Sequence, residues 1–156
     1  MNELQILTAD LSHEESLPFF ESGIRAGFPS PAGDYTEERL DLNTLVIKHR
    51  DATFYARVMG DSMVDAGIED GDIAVIDKAV DAQDGDTVVA FIDGEFTIKE
   101  LDLSRRDEGI VRLLPHNDKY PPIILSEGYE LTIWGVVTFV IHRQHHQISS
   151  RSTGLS

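Results

Sequence analysis

The segment Val58-Met59-Gly60-Asp61-Ser62-Met63-Val64 runs from a strand-like stretch into a glycine turn and then a serine. A serine at such a turn is exposed for attack, and the backbone N–H groups beside it can point toward a developing oxyanion. Gly-Asp-Ser is also a common turn in which the serine simply caps the next segment. Chemistry at Ser62 therefore requires a base within reach.

Histidine is the first place to look, and its spacing offers little. His13 lies near the start, His49 precedes Arg50-Asp51, and His142, His145 and His146 lie at the end. His116, in Leu114-Pro115-His116-Asn117, is the best placed, although its neighbours read as a loop. Lysine is the other candidate. Lys99 sits in Phe96-Thr97-Ile98-Lys99-Glu100-Leu101, where strand alternation puts Phe96 and Ile98 on one face and Thr97 and Lys99 on the other. A lysine on that second face is ordinarily solvated. A lysine serves as a base only where desolvation brings the amine from about 10.4 toward neutrality, at about 1.4 kcal/mol per unit. Proteins rarely carry that cost without a use for it.

The third element is Arg25-Ala26-Gly27-Phe28-Pro29-Ser30-Pro31-Ala32. A peptidase binds its substrate extended, with a small residue in a tight pocket and the next amide unhindered, and Ala26-Gly27 meets those needs. Tethering raises the local concentration of such a site. Without a nucleophile and a base the same stretch reads as a plain linker.

Short runs rich in β-branched and aromatic residues must position these groups. They are Leu45-Val46-Ile47, Ala52 to Val58, Ile73 to Asp77, Thr87 to Ile92, Glu95 to Glu100, Ile110 to Leu114 and Leu131 to Ile141, with Gly, Asp and Asn between them. That spacing predicts a mainly β fold. Asp93-Gly94 predicts a two-residue hairpin turn, whose backbone needs positive φ. Before Asp41, the density of Gly23, Gly27, Pro29, Pro31 and Gly33 predicts an extended arm over residues 1–40, with a short helix near Thr36 to Leu40. Residues 41–142 read as the β-rich domain and 143–156 as a polar, flexible tail, with His142, His145 and His146 around its start read as solvated.

Composition narrows the classes further. The 156 residues contain no cysteine, which excludes disulfides, a thiolate metal site and a cysteine nucleophile. The formal net charge of −15 argues against direct DNA binding through the phosphate backbone. The N-terminus lacks the basic and apolar regions of a secretory signal, and no window supplies the roughly 20 apolar residues of a membrane helix. The expectation is a cytoplasmic protein, with no membrane association, metal or cofactor.

Taken together, Gly27 to Ala32, Asp41-Leu42-Asn43, Gly60-Asp61-Ser62-Met63, Gly67 to Asp72, Asp93 to Lys99 and Trp134-Gly135-Val136-Val137 resemble the LexA/UmuD family of self-cleaving serine–lysine peptidases. The resemblance runs from about Phe19 to Ile141 and is closest to the UmuD branch, the accessory subunits of error-prone translesion polymerases. It implies a curved β-sheet peptidase domain behind an extended N-terminal arm. Ser62 would attack the carbonyl of Ala26, Lys99 would accept its proton, and the backbone N–H groups of Asp61 and Ser62 would hold the oxyanion. The cut would fall between Ala26 and Gly27. A RecA filament on single-stranded DNA would trigger cleavage in the SOS response to DNA damage, and the shortened homodimer would serve a UmuC-type polymerase. Ala26 matches LexA rather than the cysteine of the best-known UmuD, and the Ser104 to Gly109 loop and the tail beyond His142 look like additions. The competing classes are a non-catalytic dimeric binding module, a LexA-like repressor fragment without its DNA-binding domain, and a membrane signal peptidase. The few acidic residues ahead of Ala26 favour the UmuD branch over a repressor, and the lack of an apolar span disfavours the signal peptidase.

Overall fold

The computed structural model describes residues 3–7, 9–20, 37–126 and 132–145. Ala26-Gly27 and the rest of residues 21–36 of the expected arm lie outside the described residues.

Six of the seven β-branched runs form strands as expected, Leu45-Val46-Ile47 being the exception, and the strands Leu4–Leu7 and Ile123–Leu125 arise outside those runs. β1 (Leu4–Leu7), β4 (Thr53–Val58), β5 (Ile73–Asp77), β6 (Thr87–Ile92), β7 (Glu95–Asp102), β8 (Val111–Leu114), β9 (Ile123–Leu125) and β10 (Thr132–Ile141) build one sheet in the order β1-β4-β5-β10-β6-β7-β8-β9. Every pairing in it is antiparallel. β2 (Ser16–Phe20) and β3 (Glu37–Asp41) pair separately. The β6–β7 hairpin turns at Asp93 and Gly94, with φ of 50° and 81°. No helix among the described residues is long and apolar enough to cross a membrane.

The sheet curls. Register shifts along β10, between Ile133 and Gly135 and between Val137 and Phe139, are irregularities that sharpen local twist. Curling brings β1 at one edge back to β7: the Glu3 N–H donates to the Phe96 carbonyl at 3.3 Å. The enclosed core holds Leu4, Ala56, Val58, Met63, Ile68, Ala74, Ile76, Val89 and Ile98. A second cluster, including Val88, Leu101, Leu113 and Leu125, lies further along β6 to β9.

Two expectations about the entry to the domain are corrected. Residues 37–41 are strand rather than helix, and the helix, α1, covers Leu42–Val46, including part of the run read as a strand. The reason is a cap. Asp41 carboxylate accepts the Thr44 N–H at 3.3 Å and the Thr44 hydroxyl at 2.6 Å, so the helix begins after Asp41. Val46 and Ile47 then pack on Val75 from outside the strand layer.

Candidate active site

The chain reaches Ser62 from the end of β4. Gly60 takes φ +98°, a conformation that glycine adopts without steric cost, and its N–H donates to Asp70 Oδ1 at 2.7 Å. The turn is clamped from the far side by residues 115–120. The His116 N–H donates to the Ser62 carbonyl at 2.7 Å, Asn117 Nδ2 donates to the Asp61 carbonyl at 2.9 Å, and Tyr120 Oη donates to Asp61 Oδ1 at 2.6 Å. Met63, next in sequence, is anchored in the core. The serine therefore stands on a rigid loop, itself buried.

Lys99 comes from the middle of β7, opposite Val88 of β6. In an open sheet its face would meet water. The curl instead closes β1 and the Ser62 loop over it, so only 5% of the residue is exposed. Its Nζ lies 3.1 Å from Ser62 Oγ, 2.8 Å from Thr97 Oγ1 and 3.0 Å from the Ile98 carbonyl. Ser62 and Lys99, 37 positions apart in sequence, thus share one buried pocket.

Glu3 completes the pocket, and sequence reasoning missed it. Its Oε1 is 2.6 Å from Lys99 Nζ, and Ser62 Oγ donates to its Oε2 at 2.5 Å. The Thr97 hydroxyl also donates to Oε1, as does the Ile98 N–H at 3.3 Å. Burial alone would push the Glu3 carboxyl up. Hydrogen bonds from Lys99, Ser62 and Thr97, with the lysine charge, outweigh it and hold Glu3 below the usual carboxylate range. The one available signal was the alternation of Leu4 and Ile6 after it; an acid near a terminus otherwise reads as solvated.

Of the other sequence candidates, His116 meets Ser62 only through its backbone. Its ring lies 3.5 Å from Glu100 Oε1, so no serine–histidine pair forms. His142 is exposed, as expected of a solvated histidine, but it has partners: Nδ1 lies 2.6 Å from Asp72 Oδ1, whose side chain is buried, and Nε2 lies 3.5 Å from Glu69. Among the described residues no cluster of histidine, aspartate and glutamate could hold a metal ion.

The direction of the protons follows from the chemistry of the groups. A carboxylate only accepts, so the Ser62 hydroxyl hydrogen points at Glu3, and an ammonium only donates, so Lys99 gives a hydrogen to Ser62 Oγ. This is a serine and a lysine in hydrogen-bond contact, both held by one carboxylate. Only as the neutral amine could Lys99 Nζ, at 3.1 Å, accept the serine proton in place of the carboxylate.

The model for the family described as peptidase S24-like matches residues 18–138. The chain is 48% identical over 130 residues to protein SamA of Salmonella typhimurium, covering 83% of this chain and 88% of that one. It is 42% identical over 128 residues to protein MucA of Escherichia coli, covering 81% and 85%. It is 39% identical over 104 residues to the LexA repressor of Clostridium perfringens, covering 67% of this chain and 50% of the repressor.

Proposed function

The chain belongs to the peptidase S24-like family, in its LexA/UmuD line, and from that premise we propose a cytoplasmic serine–lysine peptidase that cuts its own chain between Ala26 and Gly27. The observation that carries the dyad assignment is the 3.1 Å approach of Lys99 Nζ to Ser62 Oγ in a pocket shielded from water.

In this reading a neutral Lys99 takes the Ser62 proton as Oγ attacks the Ala26 carbonyl carbon. The backbone N–H groups of Asp61 and Ser62 stabilise the oxyanion. Collapse breaks the Ala26–Gly27 bond, and Lys99 returns the proton to the Gly27 amine as it leaves. Water, deprotonated by the same lysine, then hydrolyses the Ala26 ester and restores Ser62. Thr97 and the Ile98 carbonyl fix the rotamer of Lys99, so the base is oriented before the substrate arrives.

The downstream role is a DNA-damage response. The match spans nearly the whole of SamA and MucA but half of the LexA repressor, which supports the UmuD-type reading. The net charge of −15 fits a protein that works through protein partners rather than by gripping DNA. The cut is stimulated by a RecA filament on single-stranded DNA, and the shortened homodimer serves an error-prone translesion polymerase. The presence of Glu3 on the dyad also favours a second reading, a binding module that works intact.

One experiment separates them. Purified protein is incubated at about pH 10, where a lysine amine is largely neutral, or at neutral pH with a RecA filament, and the products are weighed. A break between Ala26 and Gly27 that Ser62→Ala and Lys99→Ala both abolish establishes the dyad. Intact chains in every condition would give the binding module the lead.

A further inference from the structure

A peptidase that cuts an extended peptide needs a free strand edge beside its nucleophile. The edge that leads into Ser62 is β4, and in this fold it is taken. β1 pairs antiparallel along it, with Leu4 opposite Val58, Gln5 opposite Arg57, Ile6 opposite Ala56 and Leu7 opposite Tyr55. The pairing continues past the end of the strand, where the Met59 N–H donates to the Glu3 carbonyl at 2.7 Å. Leu4 drops into the core beside Met63 and Ile98. Glu3 then turns its carboxylate onto both members of the dyad.

We propose that residues 3–7 are an internal competitive ligand of the peptidase groove, with β1 lying where an extended peptide pairs with β4 and Glu3 capping Ser62 and Lys99. The ligand class follows from the occupant: an extended peptide with a carboxylate at the dyad, an apolar residue next to it and a second apolar residue two positions further on. This inference rests on Ser62 and Lys99 being the reacting pair.

Two features of the contact make it inhibitory rather than structural alone. β1 fills the backbone positions on β4 that an extended substrate would pair with, so β1 and a scissile segment cannot occupy the groove together. Glu3 Oε2 also takes the Ser62 hydroxyl hydrogen at 2.5 Å, directing it away from its base. A scissile segment can react only in the fraction of molecules whose groove is open, and the observed rate is the intrinsic rate multiplied by that fraction. A groove filled about nine-tenths of the time therefore lowers the rate roughly tenfold.

The test uses the full-length chain at about pH 7.5 without any activator. Glu3→Gln and Glu3→Ala are compared with wild type and with Ser62→Ala in each background, and cleavage is followed by mass spectrometry. Cutting roughly tenfold or more faster in both Glu3 variants, and none in any Ser62→Ala chain, is the expected result. A synthetic peptide of residues 1–8 added to the Glu3→Ala protein should slow it again, whereas the same peptide with glutamine at position 3 should slow it less. Glu3 variants no faster than wild type, with wild type still cutting at pH 10 in a Ser62-dependent way, would overturn the inference and leave the peptidase reading intact. Failure of the residues 1–8 peptide to slow the Glu3→Ala protein would also overturn it. Cutting that ignores Ser62→Ala, or no cutting under any condition, would overturn both.

Discussion

Tyr120 Oη donates to Asp61 Oδ1 across 2.6 Å, which ties the loop after β8 to the residue immediately before Ser62. The bond from Tyr120 is the chief reason that the Asp61 carboxyl lies below its ordinary range. With Asn117 on the Asp61 carbonyl, it fixes the backbone of Asp61 and Ser62, the proposed oxyanion donors. Tyr120→Phe deletes only the hydroxyl. Self-cleavage at alkaline pH should slow severalfold, while the unfolding midpoint should barely move, because both groups reach water and solvent replaces the lost bond. A rate equal to wild type would show that the 115–120 loop does not position the nucleophile.

Gly135 lies at the irregularity of β10, and the space around it is closed. A Cβ built there falls 2.6 Å from Ile76 Cγ2 and 3.3 Å from the Asp77 carbonyl oxygen. Ile76 is fully buried in the main core and has nowhere to retreat. Gly135→Ala should therefore destabilise the domain by about 1–3 kcal/mol, the usual cost of overpacking a core, read from urea unfolding. An unchanged midpoint would mean that β10 yields at its bulge.

What the sequence disclosed follows from how local each signal is. Thr87 to Ile92, Asp93-Gly94 and Glu95 to Glu100 carry their own strand and turn preferences, and they form the expected hairpin. α1 was misread because Val46 and Ile47 outweighed the cap at Asp41, which depends on one side-chain bond. The approach of Ser62 to Lys99 depends on the curl of the sheet, which no spacing encodes; the motif resemblance supplied it. Glu3 was invisible for the same reason, since its burial arises only when β1 closes against β4 and β7.

His142 gives the domain a pH dependence of definite sign. Its hydrogen bond to Asp72, followed by the charges of Asp72 and Glu69, raises its pKa above the ordinary value despite some desolvation. A histidine raised in the folded state contributes stability in full below its unfolded value of about 6.5, and that contribution fades as pH rises through the folded value. Thermal unfolding of wild type and His142→Gln should thus differ most near pH 6 and converge toward about pH 9. A gap that widens with pH would contradict the ion pair.

The Lys99–Glu3 contact makes a prediction about stability that is separate from catalysis. Removing one partner of a buried pair strands the other charge, which costs about 3 kcal/mol or more. The two partners are not equivalent here. If Glu3 is neutralised, Lys99 keeps Thr97 Oγ1, the Ile98 carbonyl and Ser62 Oγ as acceptors. Glu3→Gln also keeps an amide oxygen that can still accept from Lys99, whereas Lys99→Met deletes every hydrogen bond of Nζ and leaves the Glu3 carboxylate without a counter-charge. Lys99→Met should therefore be the more destabilising single change, by about 3 kcal/mol, and Glu3→Gln the milder. Adding Glu3→Gln to Lys99→Met should restore part of the loss, because the orphaned charge is gone. Urea unfolding of the four proteins reads the coupling directly. Strictly additive effects would mean that the carboxylate and the ammonium do not depend on each other, and that β1 is held by its backbone and Leu4 alone.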